Sequence, residues 1–243
     1  MIISRARKRD AENFRSYLTL SAKIFLFIIF IVSACLVSSK IKTYFPIQEV
    51  KVFGIQHADQ KSLQQSLMPL VNRGFFGVDV DSIKDQLLQS PWIANAVVQR
   101  VWPNQVVITV IEKIPMARWN NSSLMSSNGD LFSPDPASYP DGLPQLLGPE
   151  DQHMQIMAYY KKLNSLLAPL HFKIATLELT HENSWALTCD NGIKVSAGYK
   201  DVLTRVSHFV KVYPKIIGNR YADVEYIDLR YPNGLAVRWK TVS

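Results

Sequence analysis

At 243 residues and 47% apolar, the chain has material for more than one folded unit. Its net charge of +7 is uneven, because residues 1 to 23 hold six basic residues against Asp10 and Glu12, leaving +3 for the other 220. No basic stripe interleaved with aromatics runs through that larger part, which excludes a nucleic-acid partner.

Residues 24 to 39, IFLFIIFIVSACLVSS, carry no charge. Sixteen residues make about 24 Å of helix, against roughly 30 Å for a bilayer core. Lys23 and Lys40 can snorkel, and Ile41, Tyr44 and Phe45 extend the stretch to an interfacial aromatic. The spacing therefore predicts one transmembrane helix with its interface over 24–45. The cluster from Arg5 to Arg9 places the tail 1–23 in the cytoplasm and the remainder in the periplasm. Val32 to Cys35 also resembles a lipoprotein processing box, but Leu36 and Val37 continue the apolar run where a polar tether belongs. Cys189 lies alone outside the membrane, so no internal disulfide is expected there. A buried strand position suits it.

The outer part opens on a strand around Val50 and Val52. Asp59 caps a helix with the stripe Leu63, Leu67, Leu70 and Val71, ended by a left-handed Gly74. Asp79 or Asp81 starts a second helix, with Val80, Ile83, Leu87 and Leu88 on one face and Pro91 beyond it. Strands over Ile93–Val101 and Gln105–Ile111 flank Trp102-Pro103-Asn104. Short strands then run from Ala117 to Phe132. A proline-rich loop and a helix from Asp151 to Leu167 follow. Three strands come next, near Ile174–Thr180, Trp185–Cys189 and Ile193–Ala197. A helix from Asp201 stops at Pro214, and a closing hairpin turns at Pro232-Asn233-Gly234. A three-residue loop with Gly234 left-handed pairs Tyr231 with Leu235, Leu229 with Val237 and Ile227 with Trp239, which leaves the amides of Ala236 and Arg238 facing outward. The expected fold is α+β: a transmembrane helix, a β-α-α-β-β unit over 46–115, and a mainly antiparallel β-domain over 116–243 with helices on one side.

Catalytic constellations are missing. The five histidines are scattered, and no zinc spacing, nucleophile elbow or phosphate loop occurs. Asp79-Val80-Asp81 reads as helix capping. No enzyme, cofactor or metal is expected.

SPWIANAVVQRVWPNQVVITVIEKIPMARWN resembles the end of a POTRA domain of the FtsQ/DivIB family of bacterial cell-division proteins. NGDLFSPD, LPQLLGPE, SWALTCDNGIKV and YIDLRYPNGLAVRWK follow in that family's order. The resemblance implies a single-pass inner-membrane protein of the division septum with no catalytic activity. It also implies that the last strand accepts a strand of FtsB, with FtsL in the complex, and that septal peptidoglycan synthesis is linked to earlier division proteins. By position it points to Tyr231, Asn233, Gly234, Leu235, Ala236, Arg238 and Trp239 as partner contacts. Glu182 stands where some relatives carry arginine. The strip Trp92 to Val101 is a second candidate, with FtsK as its partner. Two rival readings are a POTRA-bearing translocation or secretion component and a membrane-anchored cell-wall enzyme. The first is opposed by the single POTRA unit and the missing barrel pattern, the second by the missing motifs.

Overall fold

The structure is a computed structural model describing residues 23, 25–35, 45–231 and 234–240. Residues 24 and 36–44 of the expected membrane segment 24–45, and residues 1–22 of the tail, lie outside the described residues. Residues 25–35 are helical, and Phe25 to Val32 are exposed along them. Among the described residues no helix is long and apolar enough to cross a membrane.

The chain divides into two compact units. Of the described residues, the first takes in those up to 55 with 59–89 and 95–110, and the second 56–58, 90–94 and those from 111 onward.

In the first unit, β1 (Glu49–Phe53), β2 (Ile93–Val101) and β3 (Gln105–Glu112) form a sheet in the order β1-β3-β2. β1 runs parallel to β3, with Val50 opposite Val106 and Val52 opposite Ile108. Such a parallel pair needs a long crossover, supplied by α1 (Gln60–Val71) and α2 (Val80–Leu88). Both helices are capped as their sequences predict. Asp59 accepts the Lys61 amide at 3.0 Å and Asp79 accepts the Asp81 amide at 3.1 Å. Leu63, Leu67 and Val71 of α1, with Ile83 and Leu87 of α2, are buried, as are Val106 and Ile108 of the sheet. Leu88, placed on the buried stripe by its spacing, is exposed. Gly54 has a φ of +88°, and a Cβ there would stand 2.1 Å from the Val110 carbonyl oxygen, so no larger residue fits.

Among the described residues the second unit holds a nine-stranded sheet. Its strands are β4 (Pro115–Trp119), β5 (Ser123–Ser126), β6 (Leu131–Phe132), β7 (Gln145–Leu147), β8 (Ile174–Leu179), β9 (Trp185–Cys189), β10 (Lys194–Gly198), β11 (Val224–Asp228) and β12 (Ala236–Trp239). Their order is β12-β11-β10-β9-β8-β7-β4-β5-β6. The pairs β10/β11, β7/β8 and β4/β7 are parallel and the rest antiparallel. Helix α3 (His153–Leu167) packs on β8, and α4 (Val202–Ile216) on β10 and on α3. Ile156, Leu163, Leu167, Val206 and Phe209 bury their helical faces against Leu177, Leu187, Val195 and Ile227. Each such side chain contributes about 1.5–3 kcal/mol on leaving water.

Pro214 does not end α4. The helix continues to Ile216, and the Ile217 amide closes it on the Tyr213 carbonyl at 2.9 Å. A proline forfeits its own N–H bond and crowds the carbonyl four residues back, a local cost that packing outweighs near the end of a helix anchored by Val206, Phe209 and Tyr213.

Candidate functional site

β12 is the outermost strand of the nine-stranded sheet, so one row of its backbone groups faces no strand of the described chain. Which groups these are follows from two hydrogen bonds. The Lys240 amide donates to the Asp223 carbonyl at 2.7 Å, which turns Lys240 toward β11. Direction alternates along a strand, so Arg238 and Ala236 also face β11, while Val237 and Trp239 face outward. On the other side, the Leu229 amide donates to the Ser196 carbonyl at 2.8 Å. Leu229 and Ile227 therefore face β10, and Asp228 and Tyr226 face β12. The register agrees: Asp228 stands opposite Ala236, Tyr226 opposite Arg238, and Ile227 opposite Val237, with Glu225 the extra residue of a bulge before Val224 opposite Trp239.

This corrects the expected register by two residues. Ile227 faces Val237 rather than Trp239, and the ladder starts at Asp228 and Ala236 rather than at Tyr231 and Leu235. The outward amides are consequently those of Val237 and Trp239, not those of Ala236 and Arg238. Gly234 does not take the expected left-handed conformation.

The reason lies in side chains that claim the backbone just after β11. Asp228 accepts the Arg230 amide at 2.9 Å and grips its guanidinium at 2.7 Å from Nη2. Arg205 of α4 donates through Nη1 to the Leu229 and Arg230 carbonyl oxygens at 3.3 and 3.1 Å. With these groups taken, the ladder to β12 opens only at Asp228 and Ala236. Gly198, at a φ of +74°, lets this crossing pass: a Cβ there would stand 3.1 Å from Arg230 Cγ and 3.3 Å from Arg205 Nη1. The Arg230 hydrogen bond, outweighing partial burial, holds the Asp228 carboxyl below its ordinary pKa.

An open cavity of about 360 Å³ adjoins these groups, lined by Thr204, Arg205, His208 and Phe209 of α4 and by Leu229, Tyr231, Gly234 and Leu235. The edge thus brings Tyr231, Gly234, Leu235, Ala236, Arg238 and Trp239 together. Leu235, Val237 and Trp239 lean on the core, whereas Ala236 and Arg238 are exposed. Trp239 is half-buried under the Arg220 guanidinium, 4.2 Å from its ring centre, and Arg238 lies over the Tyr226 ring. Tyr231 is 57% exposed. Asn233 lies outside the described residues. Glu182 sits apart, exposed in the β8–β9 turn. That turn is at the same sheet end as Tyr231, but β9 is separated from β12 by β10 and β11. Sequence reasoning missed Arg205, His208, Asp228 and Arg230. The Asp-x-Arg spacing of 228 and 230 was the available signal for two of them.

The strip Trp92 to Val101 divides. β2 is one of the two outer strands of the first sheet, with Val97 and Val101 exposed. Trp92 is buried, stacked on His57 at 4.7 Å, and its Nε1 donates to Ser138 Oγ at 2.9 Å, so it offers no docking surface. Glu112 is held with it in the second unit. Its carboxylate accepts the amides of Gln56, His57 and Ala58 at 2.9–3.1 Å and faces His57 Nδ1 at 3.0 Å. Burial pushes its pKa up, but these donors outweigh that and hold it below the ordinary value. A carboxylate so fully engaged has a structural role.

Two families match this architecture. Residues 45–113 match the POTRA domain, FtsQ-type, and residues 117–230 match the family described as cell division protein FtsQ/DivIB, C-terminal. The second match stops just before the connection to β12. The class is therefore a POTRA-containing cell-division protein. The chain is similar to the cell division protein FtsQ of Coxiella burnetii, at 34% identity over 80% of this chain and 81% of the relative. The FtsQ of Escherichia coli K12 is 32% identical over 80% and 73%, and that of Aliivibrio fischeri 30% identical over 96% and 92%. The chain belongs to the FtsQ family of cell division proteins and has a role in the divisome.

Proposed function

We propose that this chain is a non-enzymatic divisome scaffold that accepts a strand of FtsB along β12, with FtsL in the same assembly. It thereby links early division proteins to septal peptidoglycan synthesis. Segment 24–45 anchors it in the inner membrane, tail 1–23 lies in the cytoplasm, and the POTRA domain (46–115) and β-domain (116–243) lie in the periplasm. One observation carries the reading: β12 closes the sheet with the backbone of Val237 and Trp239 turned outward.

In strand addition, main-chain bonds supply affinity and alternate side-chain pockets supply specificity. The incoming strand pairs with Val237 and Trp239, while Ala236 and Arg238 meet its side chains on the exposed face. Tyr231, Gly234 and Leu235 border the cavity that takes the segment leading into that strand. Asn233 is a further contact on the strength of the family resemblance, and Tyr231 and Trp239 are the residue types that anchor interfaces. Glu182 contributes only where the partner extends past β11 and β10. The exposed part of β2, around Val97 and Val101, is the surface proposed for FtsK. Hydrogen exchange on the chain with and without FtsB tests the principal contact. The Val237 and Trp239 amides become protected on binding. Unchanged exchange at both, with binding intact, rules out strand addition at this edge.

A further inference from the structure

Three segments of the first unit converge on an exposed aromatic cluster that the divisome reading does not use. Phe45, the residue that ends the expected membrane segment, stands 5.5 Å from the ring of Phe76 and 5.4 Å from that of Trp102. Phe75 lies 5.3 Å from Phe76 and 5.4 Å from Trp102. Phe76 is 54% exposed and Trp102 60% exposed. The cluster is built rather than loose. The Phe75 amide donates to the Phe45 carbonyl at 2.8 Å. Gly74 (φ +75°) and Gly77 make the tight turn that presents both phenylalanines, and a Cβ on Gly77 would stand 2.4 Å from the Arg73 carbonyl oxygen. The turn carrying Trp102 is fixed by Asn104, whose carbonyl accepts the Gln48 amide at 2.9 Å.

We propose that Phe45, Phe76 and Trp102 form a lipid-facing foot that seats the first unit in the bilayer interface. This rests on the reading of 24–45 as a membrane anchor. Only five residues separate Ser39, the last of the charge-free stretch, from Phe45. Even fully extended, they hold the cluster within about 20 Å of the hydrocarbon edge. Tryptophan and other aromatics favour that depth, where an apolar body and a polar ring edge are both satisfied. Arg73 and Arg100, both exposed and each two residues before a member of the cluster (Phe75 and Trp102), suit anionic headgroups. A seated foot restricts how the rest of the chain can turn about its anchor.

The test uses the full chain in vesicles of phosphatidylethanolamine and phosphatidylglycerol, with and without brominated acyl chains. Trp92, Trp119 and Trp185 are buried, so among the five tryptophans Trp102 is the one most open to quenching. Bromolipid is expected to lower the tryptophan emission, and Trp102→Phe to abolish most of that loss. Carbonate extraction is run on the same vesicles. A chain that resists extraction but shows the same quenching in the wild type and Trp102→Phe overturns the foot and leaves the anchor standing. A chain that carbonate removes overturns the anchor reading, and the foot with it. Disulfide cross-linking between two copies of the Trp102→Cys variant through position 102, without lipid quenching in the wild type, assigns the cluster to a second copy and also overturns the proposal.

Discussion

Asp228 holds Arg230 two residues along its own chain, with Nη2 to Oδ2 at 2.7 Å and Nε to Oδ1 at 2.9 Å. The pair fixes where the chain leaves β11, and Arg205 fixes the carbonyls that follow. Removing the carboxylate by Asp228→Ala strands the Arg230 amide and frees the connection to β12. The expected cost is about 1–2 kcal/mol in denaturant unfolding, with partner binding weakened more than the fold. The charge sets a pH window. Folding lowers the Asp228 pKa, so its contribution is complete above the unfolded value near about 4 and is lost as pH falls through the folded value. Asp228→Asn should flatten that part of the acid limb. An unaltered limb would show that the pair adds no stability.

Glu112 makes a parallel case in the 56–58 loop. Three amides and an imidazole converge on one carboxylate. Glu112→Gln keeps the size but turns one acceptor into a donor facing N–H groups. The expected loss is about 2–3 kcal/mol at neutral pH. Folding lowers the Glu112 pKa, so the carboxylate's contribution is complete above the unfolded value of about 4.3 and is lost as pH falls through the folded value. Urea melts of both proteins at pH 7 and at low pH measure the difference. Equal stability at pH 7 would refute the structural role given to this residue.

Cys189 is 2% exposed in β9, and burial, aided by Asp190, pushes its thiol up to about 12. The thiolate is the nucleophile, so alkylation at pH 8 should be slow in the folded chain and fast in urea. Reducing agent should leave the melting temperature unchanged. Cys189→Ser buries a hydroxyl and costs about 1–2 kcal/mol. Rapid labelling of Cys189 without unfolding would contradict its placement in the core.

Helices were legible because their stripes and caps are local: Asp59, Leu63 and Leu67 announce α1 within nine residues. The first unit's strands were legible from alternation. The start of the last hairpin ladder was not, because the deciding groups are remote. Arg205 lies more than twenty residues upstream of the carbonyls it claims, and nothing in YPNG reveals that Leu229 and Arg230 are already engaged. Pro214 misled for a similar reason, since its local penalty is visible and the packing of Phe209 and Tyr213 that offsets it is not. The shift of two residues leaves unchanged which face each side chain of β12 takes, so Val237 and Trp239 still share one face and Ala236 and Arg238 the other.

The last prediction follows from that shift. Ala236 and Arg238 bond inward to Asp228 and Tyr226, while the amides of Val237 and Trp239 point outward. Proline lacks a donor and is tolerated only where none is needed. Ala236→Pro or Arg238→Pro removes an internal ladder bond and should loosen β12, at a cost of about 1–3 kcal/mol. Val237→Pro removes an outward donor and spares the ladder, but it also trims a side chain that leans on the core. Val237→Ala controls for that trimming. Val237→Pro should therefore melt close to Val237→Ala while binding FtsB far more weakly and failing to support division. Ala236→Pro should lose stability first and binding as a consequence. Circular dichroism melts and pull-downs on the four variants measure both quantities. Val237→Pro binding as well as Val237→Ala, with Ala236→Pro stable but unable to bind, would mean that the outward amides are those of 236 and 238. The assignment of β12's free edge would then be wrong.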